Sequence, residues 1–456
     1  MAFFPLRIGN FPLETGPDPW LGPDARPGYV PSEPSVEPRP MRSTLTPLLA
    51  ATLLFPSGNG LHGPAVAPLT PPPATCTRTS GLLLPEGFCA VVVAQRLGRV
   101  RGVTVSPAGD VFVALGDGGV VALRDTDGDG TADQERRFGD EGGTGILWHE
   151  GYLWFAANSR VLRWRLPSGT LEPTGPAEVI VKGLPTNGHG SKTLARLGGD
   201  TLIVNLGSET NSCQQSDRGY RSPGADPCAE LERRAGLWQF SASRPQQRQS
   251  DGRRFATGLR NAEAIAVQPA TGKLFAAPHG RDQLGANWGF TDVQNAELPA
   301  EEFLQVEPGD DFGWPYCYFD WQQGIRVLAP EYGGDGRKLG RCSEKKPPLF
   351  GFPGHWAPMA IAFATGNQFP ERYRGGAFVA FRGSWNRAPL PQAGYRVEFV
   401  PFAGNRPTGT HERFAVGSAG ETSLRASGVA VGPEGSLYIS GENSGTIWRV
   451  MATDAR

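Results

Sequence analysis

At 456 residues the chain is long enough for one large domain or about two to three average ones. Its 44 basic and 45 acidic side chains leave a formal net charge of −1, which argues against a nucleic-acid partner, because that needs a concentrated basic face. Only 20% of residues are charged, while Gly (62), Pro (42) and Trp (11) are abundant, a mix that suits many short strands and tight turns and disfavours helical bundles.

Residues 1–40 are rich in Pro and Gly, show no period, and read as a segment that does not pack. Two readings stand for them: a disordered extension, or sequence upstream of a true start at Met41. From Met41 the pattern changes to that of a secretory signal peptide over 41–67: Arg42 is the positive charge, Leu45 to Phe55 the apolar run, and Ala65-Val66-Ala67 the small-residue cleavage signal. The expected destination is therefore the periplasm or the exterior. No apolar run reaches the roughly 18–20 residues of a membrane-crossing helix, so no span is expected.

Six cysteines fit export and fall into near pairs: Cys76 with Cys89, Cys213 with Cys228, and Cys317 with Cys342. Local pairing is the simplest of the 15 possible connectivities, because each pair brackets one loop. The absence of C-x-x-C and C-x-x-C-H from the sequence removes support for zinc, thioredoxin chemistry and covalent haem.

From residue 80 to 450 one pattern recurs, a Gly/Asp/Pro turn followed by an alternating apolar strand: SPAGDVFVALGD (106–117), HEGYLWFAANS (149–159), LGGDTLIVNLGS (197–208), PATGKLFAAPHG (269–280), YRGGAFVAFRGS (373–384) and GPEGSLYISGE (432–442). Six copies predict an all-β, six-bladed β-propeller in which each copy marks one strand pair of a blade, with a β-sandwich as the alternative. The last strand, 446–450, is expected to join the first blade and close the ring. A propeller carries its chemistry on loops at one face, and the fold alone assigns no function.

Five stretches carry candidate chemistry. In chain order, DTDGDGTAD places Asp125, Asp127 and Asp129 at alternate positions before Gly130, like the first half of a calcium loop. The carboxylate expected at its twelfth position is missing, since Arg136 stands there. His189 lies between two glycines, a placement that suits a loop base with pKa near neutrality, although most loop histidines are solvated bystanders. Arg260 and Asn261 open a strand, where a guanidinium can clamp a carboxylate or a developing oxyanion or simply form a surface salt bridge. In APHGRDQL, Gly280 permits close approach of a ligand, and adjacent carbonyls can coordinate Ca²⁺. FRGSWNRAPLPQAGY joins Arg382, Trp385, Asn386 and Arg387, a grouping suited to a planar anion or to a structural cation–π pair.

Together with QNAELPAEEFLQVEPGDDFGWPYCY, APEYGGDGRKLGRC and FPGHWAPM, these strings resemble the glucose/sorbosone dehydrogenase family over nearly all of 80–450. The resemblance implies a six-bladed propeller that binds pyrroloquinoline quinone (PQQ) and calcium. It also implies oxidation of an aldose or sugar aldehyde, with electrons passing to a soluble acceptor. It implies that His189 is the base and that Arg260, with Asn261, faces the quinone. Gly280 and Arg281 would hold the calcium through their carbonyls, Arg382 and Arg425 would bind cofactor carboxylates, and Trp356 would form a pocket wall. The chain departs from the family pattern in four places. It reads RGSWNR for HGSWNR, has Ser208 near the Asp that orients the base, has Gly143 near a Gln, and has Gly441-Glu442 for Asp-Asp. The missing orienting carboxylate keeps two further readings open, a non-catalytic carbohydrate-binding propeller and a calcium-dependent lactonase-type hydrolase.

Overall fold

The computed structural model describes residues 76–453, apart from 78, 79 and 168; the expected extension and signal peptide lie outside this range. Within it, six blade sheets follow one another along the chain, antiparallel except where Gln247–Arg248 pairs in parallel with Glu178–Lys182. The first blade runs Val100–Val105, Val111–Leu115, Val120–Arg124 and Gln134–Phe138, each strand pairing with the next. Blades two to five begin with Gly143–His149, Leu194–Leu197, Ala264–Val267 and Pro358–Phe363. The sixth comprises Ala426–Val431, Leu437–Gly441, Thr446–Ala452 and, outermost, the N-terminal strand Phe88–Ala94. The first strand of every blade touches the first strands of both neighbouring blades, so the ring is closed.

The fold is thus the expected six-bladed β-propeller, with one correction to its closure. The strand expected to join the first blade, 446–450, stays in the last one, and the ring is sealed by Phe88–Ala94 pairing with it from Phe88↔Ala452 to Ala94↔Ile447. Phe88 anchors this seam, its ring meeting Phe369, Tyr373 and Phe414 edge-on. Each of the six repeated strings coincides with the second strand of one blade and the turn before it.

Short strands with both faces buried explain the near-continuous apolar runs, since each blade packs against a neighbour on either side. Val111 to Leu115 is buried throughout. Its odd positions join a cluster shared with blade six (Tyr438, Ile447), and its even ones a cluster shared with blade two (Leu153, Trp164). Six such interfaces replace one central core. The innermost strands approach so closely that glycine is required: a Cβ on Gly102 would meet the Thr144 carbonyl at 2.5 Å, and one on Gly428 the Arg101 carbonyl at 2.8 Å. Both positions fall at register shifts in their strands, where a bulge bends the chain around the channel.

All three expected disulfides are present, Cys76–Cys89, Cys213–Cys228 and Cys317–Cys342. The first ties the N-terminal segment to the closing strand. The other two staple long insertions, one after the second strand of blade three (Thr201–Leu206) and one after the third strand of blade four (Glu301–Val306).

Candidate active site

The innermost strands begin, and the second strands end, at the same end of the ring. The loops there enclose a cleft of about 330 Å³ lined by His189, Arg260, Asp282, Glu301, Arg382 and Arg425, with His279, His355, Trp385 and Tyr395 completing the wall. Residues from four separate candidate stretches therefore meet in one place.

His189 is not free to turn as its glycine neighbours suggest. Its Nδ1 lies 2.9 Å from the Ser208 carbonyl and 3.0 Å from Ser208 Oγ, whose own hydrogen goes to the Thr210 carbonyl at 2.7 Å. With Oγ–H committed, Nδ1–H donates to the carbonyl and Nε2 keeps its lone pair. Ser208 thus fixes the imidazole through its main chain, a role invisible in residue type. Burial, and next the Arg260 charge, push the His189 pKa down to about 3 instead of near neutrality. The ring is therefore neutral, and an anion placed beside Arg260 would raise its basicity.

Arg260 is buried and fixed by four hydrogen bonds. Nε donates to the Asn211 carbonyl (3.0 Å), Nη1 to the Gly280 carbonyl (2.8 Å), and Nη2 to Asn211 Oδ1 (3.0 Å) and Asp282 Oδ2 (2.9 Å). A guanidinium has five N–H bonds, so one on Nη1 is left for the cleft. Asp282 is the hub: Oδ2 also accepts from Arg218, and Oδ1 accepts from Asn386 Nδ2 at 3.2 Å. Its carboxyl stays well below the usual range, because Arg260, His355 and Arg218 outweigh the effect of burial. Glu301, buried beside it, accepts the Gly280 and Ala357 N–H groups, and burial raises its pKa to about 8.

On the facing wall one carboxylate serves four guanidiniums. Glu442 is paired with Arg382, lies 3.2 Å from Arg99 and 3.4 Å from Arg101, and is 4.0 Å from Arg425. Arg425 Nε is buried with no hydrogen-bond partner. The wall thus carries surplus positive charge and an unsatisfied donor, the condition for binding an anion.

Several expected site residues lie elsewhere. Trp356 is buried in an aromatic cluster with Phe352 and Phe381, not on the cleft wall; the indole that lines the cleft is the exposed Trp385. The reason is local: His355 and Ala357 on either side both have positive φ (63° and 56°), and the double reversal sends Trp356 inward. Asn261 lies behind the wall, donating to Glu263 (3.3 Å), accepting from Asn205 (3.0 Å) and lying 3.5 Å from His279 Nδ1. The Arg281 side chain turns away to Glu331 (2.7 Å), while Gly280 does line the cleft. In the acidic turn, Asp125 and Asp127 gather with Asp133 and not with Asp129, whose Oδ1 accepts from the Thr131 N–H at 2.7 Å. Arg387 is structural, donating to the Ala296 and Gly354 carbonyls. Asp282, Glu301, His279 and His355 also line the cleft, and they sit inside the motif strings without a pattern of their own. Their signal is proximity to Gly280 and Trp356, which shows only once the loops are folded together.

Fold and site define a β-propeller with a ligand cleft at one end of its channel, rich in arginine and histidine. The chain belongs to the TrAA12-like family, whose model matches residues 82–453. Solved structures share the fold. The holo form of the pyranose dehydrogenase PQQ domain from Coprinopsis cinerea superposes with a TM-score of 0.68 at 19% identity, covering 81% of this chain and 97% of that one. The calcium structure of the Trichoderma reesei Carbohydrate-Active Enzymes Family AA12 protein gives 0.69 at 17%, covering 85% and 99%. The apo soluble aldose sugar dehydrogenase of Escherichia coli gives 0.54 at 15%, covering 80% and 99%. A curated relative, an uncharacterized protein of Borreliella burgdorferi, is 29% identical over 143 residues, 31% of this chain and about a third (32%) of its own length. The family match agrees with the glucose/sorbosone dehydrogenase resemblance read from the motifs.

Proposed function

We propose that this chain is an exported oxidoreductase that oxidises an aldose or sugar aldehyde with PQQ and calcium and passes the electrons to a soluble acceptor. The observation that carries the reading is the joining, in one cleft, of an oriented neutral histidine with three arginines, Arg260, Arg382 and Arg425. The residues fit a planar polyanion. Arg425 brings an unsatisfied buried donor, Arg260 a spare N–H, and Glu442 is too heavily shared to neutralise its wall. For a hard cation the cleft offers the Gly280 carbonyl, which also accepts from Arg260. Three disulfides and no free cysteine among the described residues suit an oxidising compartment. The PQQ domain of Coprinopsis cinerea pyranose dehydrogenase and the Escherichia coli aldose sugar dehydrogenase, which share the fold, point the same way.

When bound, the quinone is the two-electron acceptor for hydride from the sugar carbon, and calcium polarises it. The chain's own part is to place and deprotonate. His189 Nε2 takes the proton from the sugar hydroxyl on the carbon that loses hydride, and the Ser208 carbonyl holds Nδ1–H and steadies the resulting imidazolium. Arg260, immobilised by Asn211, Gly280 and Asp282, presents its remaining N–H where negative charge develops, without reorganising. Trp385 offers an exposed aromatic face at the mouth of the cleft, suited to the apolar face of a pyranose.

The alternatives are less well matched. A lactonase-type hydrolase wants several free carboxylates around a channel metal, whereas Asp282 is occupied by two guanidiniums and Asn386. The Ser208 carbonyl, 2.9 Å from His189 Nδ1, supports the enzymatic reading in the absence of the orienting Asp. The test is to incubate purified protein with calcium and PQQ and follow sugar-dependent reduction of an artificial electron acceptor. Turnover that requires both additions supports the reading. Quinone binding without turnover moves the assignment to a non-catalytic propeller, and lactone hydrolysis with calcium alone replaces it.

A further inference from the structure

The loop that carries His189 reads Asn187-Gly188-His189-Gly190, and its two glycines are not hinges. A Cβ on Gly188 would overlap the Glu209 carbonyl, and one on Gly190 the Thr186 carbonyl. Close approach of main chain therefore demands glycine, which leaves the loop few side chains of its own to hold it. The His189 N–H donates to the Ser208 carbonyl at 2.9 Å. Two buried cations grip the carbonyls on either side of it. Arg234 Nη1 donates to the Asn187 carbonyl at 2.8 Å, and Lys192 Nζ donates to the Gly190 carbonyl.

Lys192 is the more unusual of the two. It is 0% exposed, and lysine is almost never fully buried unless paired. Among the described residues its ammonium has that one hydrogen bond and no ion pair. Arg234, by contrast, also donates to Asn187 Oδ1 and lies 4.0 Å from Glu209. Burial, and next the Arg234 charge, bring the Lys192 pKa down to about 7 against the pull of Glu263. A buried ammonium without a counter-ion weakens the fold. An apolar side chain of the same length would fill the space without that cost, so packing alone does not call for lysine. What lysine adds is an N–H for the Gly190 carbonyl, next in the chain to His189.

We propose that Lys192 is a positioning residue for His189: by holding the Gly190 carbonyl it keeps the imidazole at one place in the cleft. Lys192 does not line the cleft itself and acts only through the loop. The inference rests on the reading of His189 as the base only where turnover is concerned.

The test compares the full chain with Lys192→Met, which keeps the length of the side chain and removes its N–H groups. Stability in a thermal melt should be unchanged or raised, because an apolar group replaces a buried charge. In cofactor-free protein labelled with ¹⁵N-histidine, the His189 ring signal, assigned by its loss in His189→Ala, should shift or split. The signals of His279 and His355, which rest on the Pro358 and Asn295 carbonyls, should stay. With calcium, PQQ and a sugar, kcat should fall about tenfold, short of the 10²–10⁴-fold expected for losing the base itself. KM and the quinone titration should stay within about twofold. An unmoved His189 signal in folded Lys192→Met overturns the proposal, whatever turnover does. So does a moved signal with full turnover in Lys192→Met alone, since the placement would then not matter to the base. Full turnover in His189→Ala as well, with the signal moved, upholds the positioning and removes His189 as the base. If the chain shows no turnover, the ring signal decides alone. If Lys192→Met does not fold, Lys192→Gln, whose amide stops one bond short of the Gly190 carbonyl, is read in the same way. If neither folds, lysine is required for folding and the proposal falls.

Discussion

The two ends of the propeller's channel are made from the same six inner strands and have opposite chemistry. Where those strands begin, the cleft gathers His189, Arg260, Asp282, Arg382 and Arg425. Farther along the same strands the channel widens to about 500 Å³ and is lined by Val103, Ile146, Ile265, Ile361, Val429 and similar residues. The difference follows from what each segment must do. Mid-strand side chains close to the axis only have to pack, so apolar and small residues suffice. Strand ends are released from the ladder, and their loops can present charge supported by neighbouring main chain. One buried ion pair, Arg101–Glu263 at 3.2 Å, lies between the two ends. Burial raises and Arg101 lowers the Glu263 pKa, and the result is a carboxylate below its ordinary range. The lesson is that chemistry here belongs to an end of the ring and not to the channel as a whole.

The strongest way to break that comparison is to remove the base. His189→Ala should lower turnover by about 10²–10⁴-fold. Quinone titration should be nearly unchanged, because the cofactor is held by arginines and carbonyls elsewhere. Parallel cofactor titration and steady-state kinetics check this; equal turnover in the two proteins would remove His189 from the chemistry. Next in size is Asp282→Asn, which leaves the buried Arg260 without its counter-charge. Breaking such a pair costs about 3–5 kcal/mol of stability, measurable by denaturant titration, and cofactor affinity should fall with it.

A pH series sharpens the contrast without mutation. His189 is depressed from 6.5 to about 3, so the unfolded chain binds a proton between those values that the folded chain refuses. Stability of the cofactor-free protein should therefore fall as pH drops from 6.5 toward 3, by about 1.4 kcal/mol per pH unit for that one proton. Lys192, buried beneath the same loop, is lowered from 10.5 to about 7, chiefly by desolvation, and acts with the same sign over pH 10.5 to 7. Chemical denaturation across pH measures both windows, and His189→Ala should make the acidic one shallower, with the other lowered histidines, His149, His279 and His355, retaining the rest. His149, at the wide end of the channel, is also lowered by burial and adds to the acidic slope with the same sign.

Much of this organisation is legible in the residues. Alternating apolar strings locate the second strand of each blade because burial on both faces demands them, and cysteine proximity yields the disulfides because each pair spans one loop. His189, Arg260, Gly280, Arg382 and Arg425 all lie at the cleft. What stays hidden depends on main-chain geometry. Trp356 is turned inward by left-handed neighbours, Ser208 acts through its carbonyl, and Asp133, distant from Asp125 in the expected loop spacing, gathers with Asp125 and Asp127. The identity of the closing strand is hidden for another reason: pairing between residues 88–94 and 446–452 is a contact across almost the whole domain, which no local pattern encodes.

The smallest expected effect is at the apolar end. Val431 is half-buried at the end of the innermost strand of blade six and lines the wide part of the channel. Val431→Thr keeps shape and β-branching and replaces one methyl by a hydroxyl. Such a change is costly in a sealed core, where the hydroxyl lacks a partner. At a half-exposed channel position water supplies that partner, so the cost should stay under about 1 kcal/mol. If chemistry is confined to the charged end, kcat/KM should stay within about threefold of the parent, with no change in cofactor titration. A tenfold loss of kcat/KM at unchanged stability would mean that the channel is one continuous functional space, and that substrate or product passes through it.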